Sequence, residues 1–170
     1  GETLVTNGST LVLFGDNTAD AEYGAYRRAT TLTNGGALVM DYSNEDLDGT
    51  WTSLWGSDID IDGEGTIAIQ DVVKVKEDED GEPSYYVGTV EFNDDINFIG
   101  EDSNELTFQV NNSYAVVELH SAIEGLGDLT KTGAGKLILN GSGDFGSAMV
   151  NSGILQLGTS ETSVNDQLAN

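Results

Sequence analysis

One motif recurs along this chain. It consists of an apolar or threonine-rich strand, a turn holding Asn or Thr with Gly, and a second strand with apolar residues two apart. It reads Leu4-Val5-Thr6-Asn7-Gly8-Ser9-Thr10-Leu11-Val12-Leu13 and again Leu32-Thr33-Asn34-Gly35-Gly36-Ala37-Leu38-Val39-Met40. A third copy is Leu129-Thr130-Lys131-Thr132-Gly133-Ala134-Gly135-Lys136-Leu137-Ile138-Leu139. Shortened copies are Gly63-Glu64-Gly65-Thr66-Ile67-Ala68-Ile69 and Asn151-Ser152-Gly153-Ile154-Leu155-Gln156-Leu157. Apolar residues at alternate positions bury one face of each strand. Glycine supplies the positive φ that a sharp bend between strands requires. Apolar residues at helical spacing are nearly absent, so the expected class is all-β.

Strands of three to five residues between tight turns suit a solenoid, in which each coil gives one short strand to each of several parallel sheets. The expected architecture is therefore a parallel β-helix of roughly seven or eight coils stacked about 4.8 Å apart. A β-sandwich is the alternative, because the repeat spacing is uneven. One segment breaks the cadence. Asp71-Val72-Val73-Lys74-Val75-Lys76 alternates, Glu77-Asp78-Glu79-Asp80-Gly81-Glu82-Pro83 is acidic and turn-forming, and Ser84-Tyr85-Tyr86-Val87-Gly88 returns as a strand. Asp-Gly between alternating runs is a hairpin signature, so residues 71–88 are expected to form a β-hairpin protruding from a coil. Residues 17–29 are expected to form a longer loop.

Length and composition narrow the function. With 170 residues and 38% hydrophobic residues the chain can bury one sizeable core, and 1–170 reads as a single β-helical fragment. It opens in mid-pattern at Gly1-Glu2-Thr3-Leu4-Val5 with no signal peptide, as a cut inside a larger protein would. No apolar run is long enough for a transmembrane helix, so no membrane insertion is expected of this segment. The absence of cysteine excludes a disulfide framework and any Cys-ligated metal. A net charge of −24 argues against nucleic acid as a partner, since phosphates need Lys and Arg. The same charge favours solubility, repulsion between copies and attraction of cations.

Catalytic chemistry finds little support. His120 is the only histidine, and it falls on the strand face opposite Val117 and Leu119, the position of an exposed strand residue. Paired carboxylates for glycoside hydrolysis are a weak signal among 30 acidic residues, which pair by chance. Calcium is the best metal candidate. Asp58-Ile59-Asp60-Ile61-Asp62-Gly63 matches the opening of an EF-hand loop, but the twelfth position is Ile69 and no flanking helices are expected. An ordinary strand with Asp58, Asp60 and Asp62 in an outward row accounts for the same residues, and no other cofactor is expected. Trp51, Trp55, Tyr85 and Tyr86 could stack on sugars. The two tryptophans are expected to pack into the core or cap a loop. Tyr85 and Tyr86, with Asp78 and Asp80, make the hairpin the candidate recognition element. Asn7, Asn34, Asn111, Asn112, Asn140 and Asn151 are expected to form side-chain ladders between coils.

The stretch Gly127-Asp128-Leu129-Thr130-Lys131-Thr132-Gly133-Ala134-Gly135-Lys136-Leu137-Ile138-Leu139-Asn140-Gly141 resembles the autotransporter-associated β-strand repeat. Its continuation through Phe145 and Gly153-Ile154-Leu155-Gln156-Leu157-Gly158 fits as well, so the resemblance covers residues 124–158. The family's Asn-Thr-Tyr spacer is replaced here by Gly143-Asp144-Phe145. The resemblance implies a right-handed parallel β-helix from the passenger of a Gram-negative autotransporter, displayed on the bacterial cell surface or secreted. Such passengers act in adhesion, aggregation and biofilm formation. The expected function is thus a non-enzymatic adhesion or self-association module, whose partners are other copies of itself or a host or glycan receptor. A structural stalk that assists export, and a glycan-active enzyme on a β-helix, are the alternatives.

Overall fold

A computed structural model of the chain describes residues 2–14, 28–43, 51–71, 73–77, 80–100 and 103–158. Among them every regular element is a strand and none is a helix. Three sheets hold the strands. The first joins β1 (Thr3–Thr6), β3 (Thr30–Thr33), β6 (Ile59–Asp62), β10 (Ile96–Ile99) and β13 (Ile123–Glu124) in that order. The second runs β2 (Thr10–Phe14), β4 (Gly36–Asp41), β7 (Glu64–Gln70), β11 (Asn104–Val110), β14 (Gly127–Thr132) and β16 (Ser147–Val150). The third runs β5 (Trp51–Trp55), β9 (Pro83–Phe92), β12 (Val116–Leu119), β15 (Lys136–Leu139) and β17 (Ile154–Leu157). Every pairing within these sheets is parallel, and from β3 to β15, the hairpin strand between β7 and β9 aside, the chain visits them in rotation. The described coils are fewer than seven or eight, because connections between strands consume more residues than the turns of the motif suggest.

Parallel pairing in register stacks equivalent residues, and this builds the core. Val5, Leu32, Ile61 and Phe98 form one inward column of the first sheet. Leu13, Met40, Ile69 and Val110 form a column of the second, and Trp55, Phe92, Leu119 and Leu139 form a column of the third. All of these are buried. Each buried aliphatic or aromatic side chain contributes about 1.5–3 kcal/mol, so the alternation in the sequence is what sets the register. Aromatic packing links columns of different sheets, with Phe108 edge-on to Phe92 at a centroid distance of 5.6 Å.

The turns explain the asparagines. Asn7 and Gly8 have φ of 55° and 70°, and Asn34 and Gly35 have 50° and 79°. Two successive left-handed residues are what Asn-Gly adopts most readily. The turns stack through backbone bonds, the Gly8 amide donating to the Asn34 carbonyl at 3.1 Å and the Gly35 amide to the Glu64 carbonyl at 2.8 Å. Asn111, Asn112 and Asn140 bond to Gln109, to the Tyr114 amide and to Glu118 rather than to one another. The expected asparagine ladders therefore give way to single caps and turn positions.

The hairpin is present. β8 (Val73–Glu77) pairs antiparallel with the first half of β9, from Val73 opposite Val87 to Glu77 opposite Pro83. The connection is residues 78–82, longer than a two-residue Asp-Gly turn, with Gly81 at φ 80°. The second half of β9, Gly88 to Phe92, pairs parallel with β5. One strand thus serves both the hairpin and a coil, and the change-over falls between Val87 and Gly88.

Candidate functional site: the outward polar rows

Inward columns leave the alternate residues of each strand on the outer faces, again in register. On the first sheet Asp60, Asn97 and Glu124 form an outward row, in register with Thr31, which is buried and donates its hydroxyl to Glu2 at 3.0 Å. The Asn97 amide donates to Asp60 Oδ1 at 3.1 Å. Asp58 and Asp62 are exposed at the ends of the same strand while Ile59 and Ile61 are buried. Residues two apart on a strand stand about 6.6 Å apart, whereas calcium ligands share a point about 2.3–2.6 Å away. The strand therefore does not bring Asp58, Asp60 and Asp62 together. Among the described residues no group of three or more His, Asp or Glu side chains converges for a metal ion.

The second sheet carries two parallel rows. Glu64, Glu105 and Asp128 stack in register beside Thr66, Thr107 and Thr130. Like charges directly opposite each other in a sheet are unfavourable. Hydroxyls relieve part of that cost, since Thr130 Oγ1 donates to Glu105 at 3.4 Å and Ser147 Oγ to Asp128 at 2.8 Å. Gly35, Glu64, Gly65, Thr66, Glu105 and Thr107 line a shallow groove of about 190 Å³ here.

The third sheet holds the histidine. Glu91 and Glu118 are in-register neighbours, and His120 Nε2 lies 3.7 Å from Glu91 Oε2 and 3.5 Å from Glu118 Oε2. The Asn140 amide donates to Glu118 Oε2 at 3.1 Å. His120 is exposed, as its strand position implies, but the two glutamates around it escape a reading of each strand alone. Their signal is the shared pattern Val90-Glu91-Phe92 and Val117-Glu118-Leu119, which becomes visible once coils are aligned. A protonated His120 would place a cation between the two stacked carboxylates.

The hairpin candidates are placed less fully. Asp80 is exposed in the connection, Tyr85 and Tyr86 lie in the arm of β9 paired with Val75 and Lys74, and Asp78 falls outside the described residues. Trp55 is buried, and its indole N–H donates to the Ser57 carbonyl at 2.6 Å. The side chain of Trp51 lies outside the described residues.

A residue that carries no functional expectation turns out to be the most unusual polar group of the core. Lys131 continues the inward column of Leu38, Ile67 and Phe108 and is fully buried. Its ammonium donates to the carbonyls of Thr132 at 2.5 Å, Gly133 at 2.9 Å and Ser152 at 3.3 Å. Burial pushes its pKa below the ordinary value of 10.5. The carbonyls come from two successive turns, so the lysine ties one coil to the next.

Comparison with family models, with curated proteins and with solved structures finds no match to this chain.

Proposed function

We propose that this chain is an adhesion and self-association module built on a right-handed, closed parallel β-helix, displayed on or shed from a bacterial surface as part of an autotransporter passenger. The observation that carries the reading is the set of outward rows: Asp60–Asn97–Glu124, Glu64–Glu105–Asp128 and Thr66–Thr107 repeat polar groups at strand spacing along the outer faces. Such a face matches a second copy of itself group by group, giving a weak contact without an apolar patch. With a net charge of −24, two copies approach only when salt or divalent cations screen the acids. Calcium enters this reading as a bridge between facing carboxylate rows rather than as a resident ion chelated by Asp58, Asp60 and Asp62. No catalytic step is part of the reading. A stalk would need the stacked sheets alone, and the hairpin of β8 with the first half of β9 favours a role in recognition over that of a spacer.

The test is display of residues 1–170 on a bacterium that does not otherwise aggregate. Cells carrying the chain should settle faster than control cells, and removal of 73–87, which leaves the Gly88–Phe92 pairing with β5 in place, should slow settling. Equal settling of displaying and control cells in moderate salt with calcium would overturn the self-association reading.

A further inference from the structure

At the end of the second sheet, before the chain turns toward the third, two successive coils leave a cleft of about 300 Å³ lined by Gln70, Asp71, Asn111 and Asn112. That volume suits a small organic ligand. We propose that this cleft is a carbohydrate subsite for a neutral sugar, an inference that rests on the adhesion reading and gives it a ligand class.

Each described side chain that lines it is a carboxamide or a carboxylate. These groups offer planar donors and acceptors to adjacent hydroxyls. Most of that capacity is unspent within the protein. Gln70 and the Asp71 carboxylate make no side-chain hydrogen bond among the described residues. Asn111 and Asn112 use Oδ1, accepting from Gln109 Nε2 at 2.7 Å and from the Tyr114 amide at 3.0 Å. Their Nδ2 groups make no hydrogen bond among the described residues. The cleft thus offers amide donors and a carboxylate acceptor, the complement of a pair of neighbouring hydroxyls.

Two features define the ligand further. Asp71 lines the cleft and the net charge is −24, so a sialic or uronic acid would meet repulsion there. Asp71 also holds a backbone φ of 54°. A left-handed non-glycine residue costs conformational energy and is enriched at binding positions.

Saturation-transfer NMR on the whole chain tests this with methyl β-galactoside, methyl α-glucoside and methyl α-mannoside as probes, and with N-acetylneuraminic and galacturonic acids as anionic comparators. At least one neutral glycoside should give a signal at about 20 mM or below, and neither acid should exceed it. Gln70→Ala and Asp71→Asn should each weaken that signal by about fivefold, the loss of roughly one hydrogen bond. The Gln70 side chain makes no hydrogen bond among the described residues and Asn tolerates the Asp71 backbone conformation, so both variants should keep the wild-type circular dichroism spectrum. Absence of signal from all three neutral probes, preference for an acid, or undiminished binding in folded Q70A and D71N would overturn the proposal. Sedimentation of the same variants separates this result from the reading beneath it, because lateral self-association does not use the cleft and should be unchanged in them.

Discussion

Replacing Lys131 by Met keeps the stem that fills the column beyond Phe108 and removes only the ammonium. The loss can be worked from the three contacts. Hydrogen bonds from a charged donor contribute about 1.5–3 kcal/mol each, and a buried carbonyl left unpaired costs about 1–3 kcal/mol. The bonds to Thr132 and Gly133, at 2.5 and 2.9 Å, count fully, while the bond to Ser152 at 3.3 Å is weaker. Met also relieves the desolvation of a buried charge, which cancels part of the loss. The balance is a destabilisation of about 2–4 kcal/mol. For a chain of this size each kcal/mol moves Tm by about 2–4 °C, so Lys131→Met should melt about 5–15 °C below wild type by circular dichroism. The pH dependence has a definite sign. Burial lowers the folded-state pKa of Lys131 below 10.5, so between those two values the unfolded chain binds more protons than the folded one. Wild type should accordingly gain stability relative to the variant as pH rises through that window. A variant that melts at or above wild type at neutral pH would refute the role assigned to the ammonium, and a gap that narrows with rising pH would refute the direction of its pKa shift.

Two further substitutions probe the stacking itself. Gly141 packs its Cα against the Ser121 carbonyl of the preceding coil, where an added Cβ would overlap that oxygen. Gly141→Ala should therefore cost about 2 kcal/mol or more, read as a lowered urea midpoint, and an unchanged midpoint would contradict the close approach. Phe108, fully buried and edge-on to Phe92, should cost about 3–5 kcal/mol as Phe108→Ala, and a loss below about 1 kcal/mol would place it outside the core.

Much of this architecture is legible in the sequence because parallel stacking repeats one simple pattern. Leu38-Val39-Met40, Ile67-Ala68-Ile69 and Leu137-Ile138-Leu139 declare their buried faces by alternation alone. Asp71 to Gly88 declares its hairpin by an acidic turn between alternating runs. What lies between coils is harder to read, since register is a property of strands distant in sequence. The pairing of Glu91 with Glu118 around His120 and the row of Glu64, Glu105 and Asp128 appear only after alignment of coils. The asparagine positions mislead for a local reason: Asn7 and Asn34 are chosen for the left-handed backbone of a turn, which sequence cannot tell from a side-chain ladder. Lys131 misleads because its alternation places a charge inside, and only the facing carbonyls of Thr132, Gly133 and Ser152 make that position tenable. The cleft of Gln70, Asp71, Asn111 and Asn112 joins two coils, so neither half is conspicuous alone.

The central claim is lateral association of an acidic rod through polar rows, and sedimentation velocity across a salt and calcium series tests it most directly. The chain should sediment as a monomer at low ionic strength. It should shift toward dimers and larger species as sodium chloride rises to about 0.15–0.5 M, where the Debye length falls below about 8 Å, and it should do so at lower concentration with calcium present. Replacing Thr66 and Thr107 by Glu on the second sheet should abolish the shift by adding like charge to the row. A wild-type chain that remains monomeric at every ionic strength, with calcium and at concentrations near 1 mM, would contradict the claim.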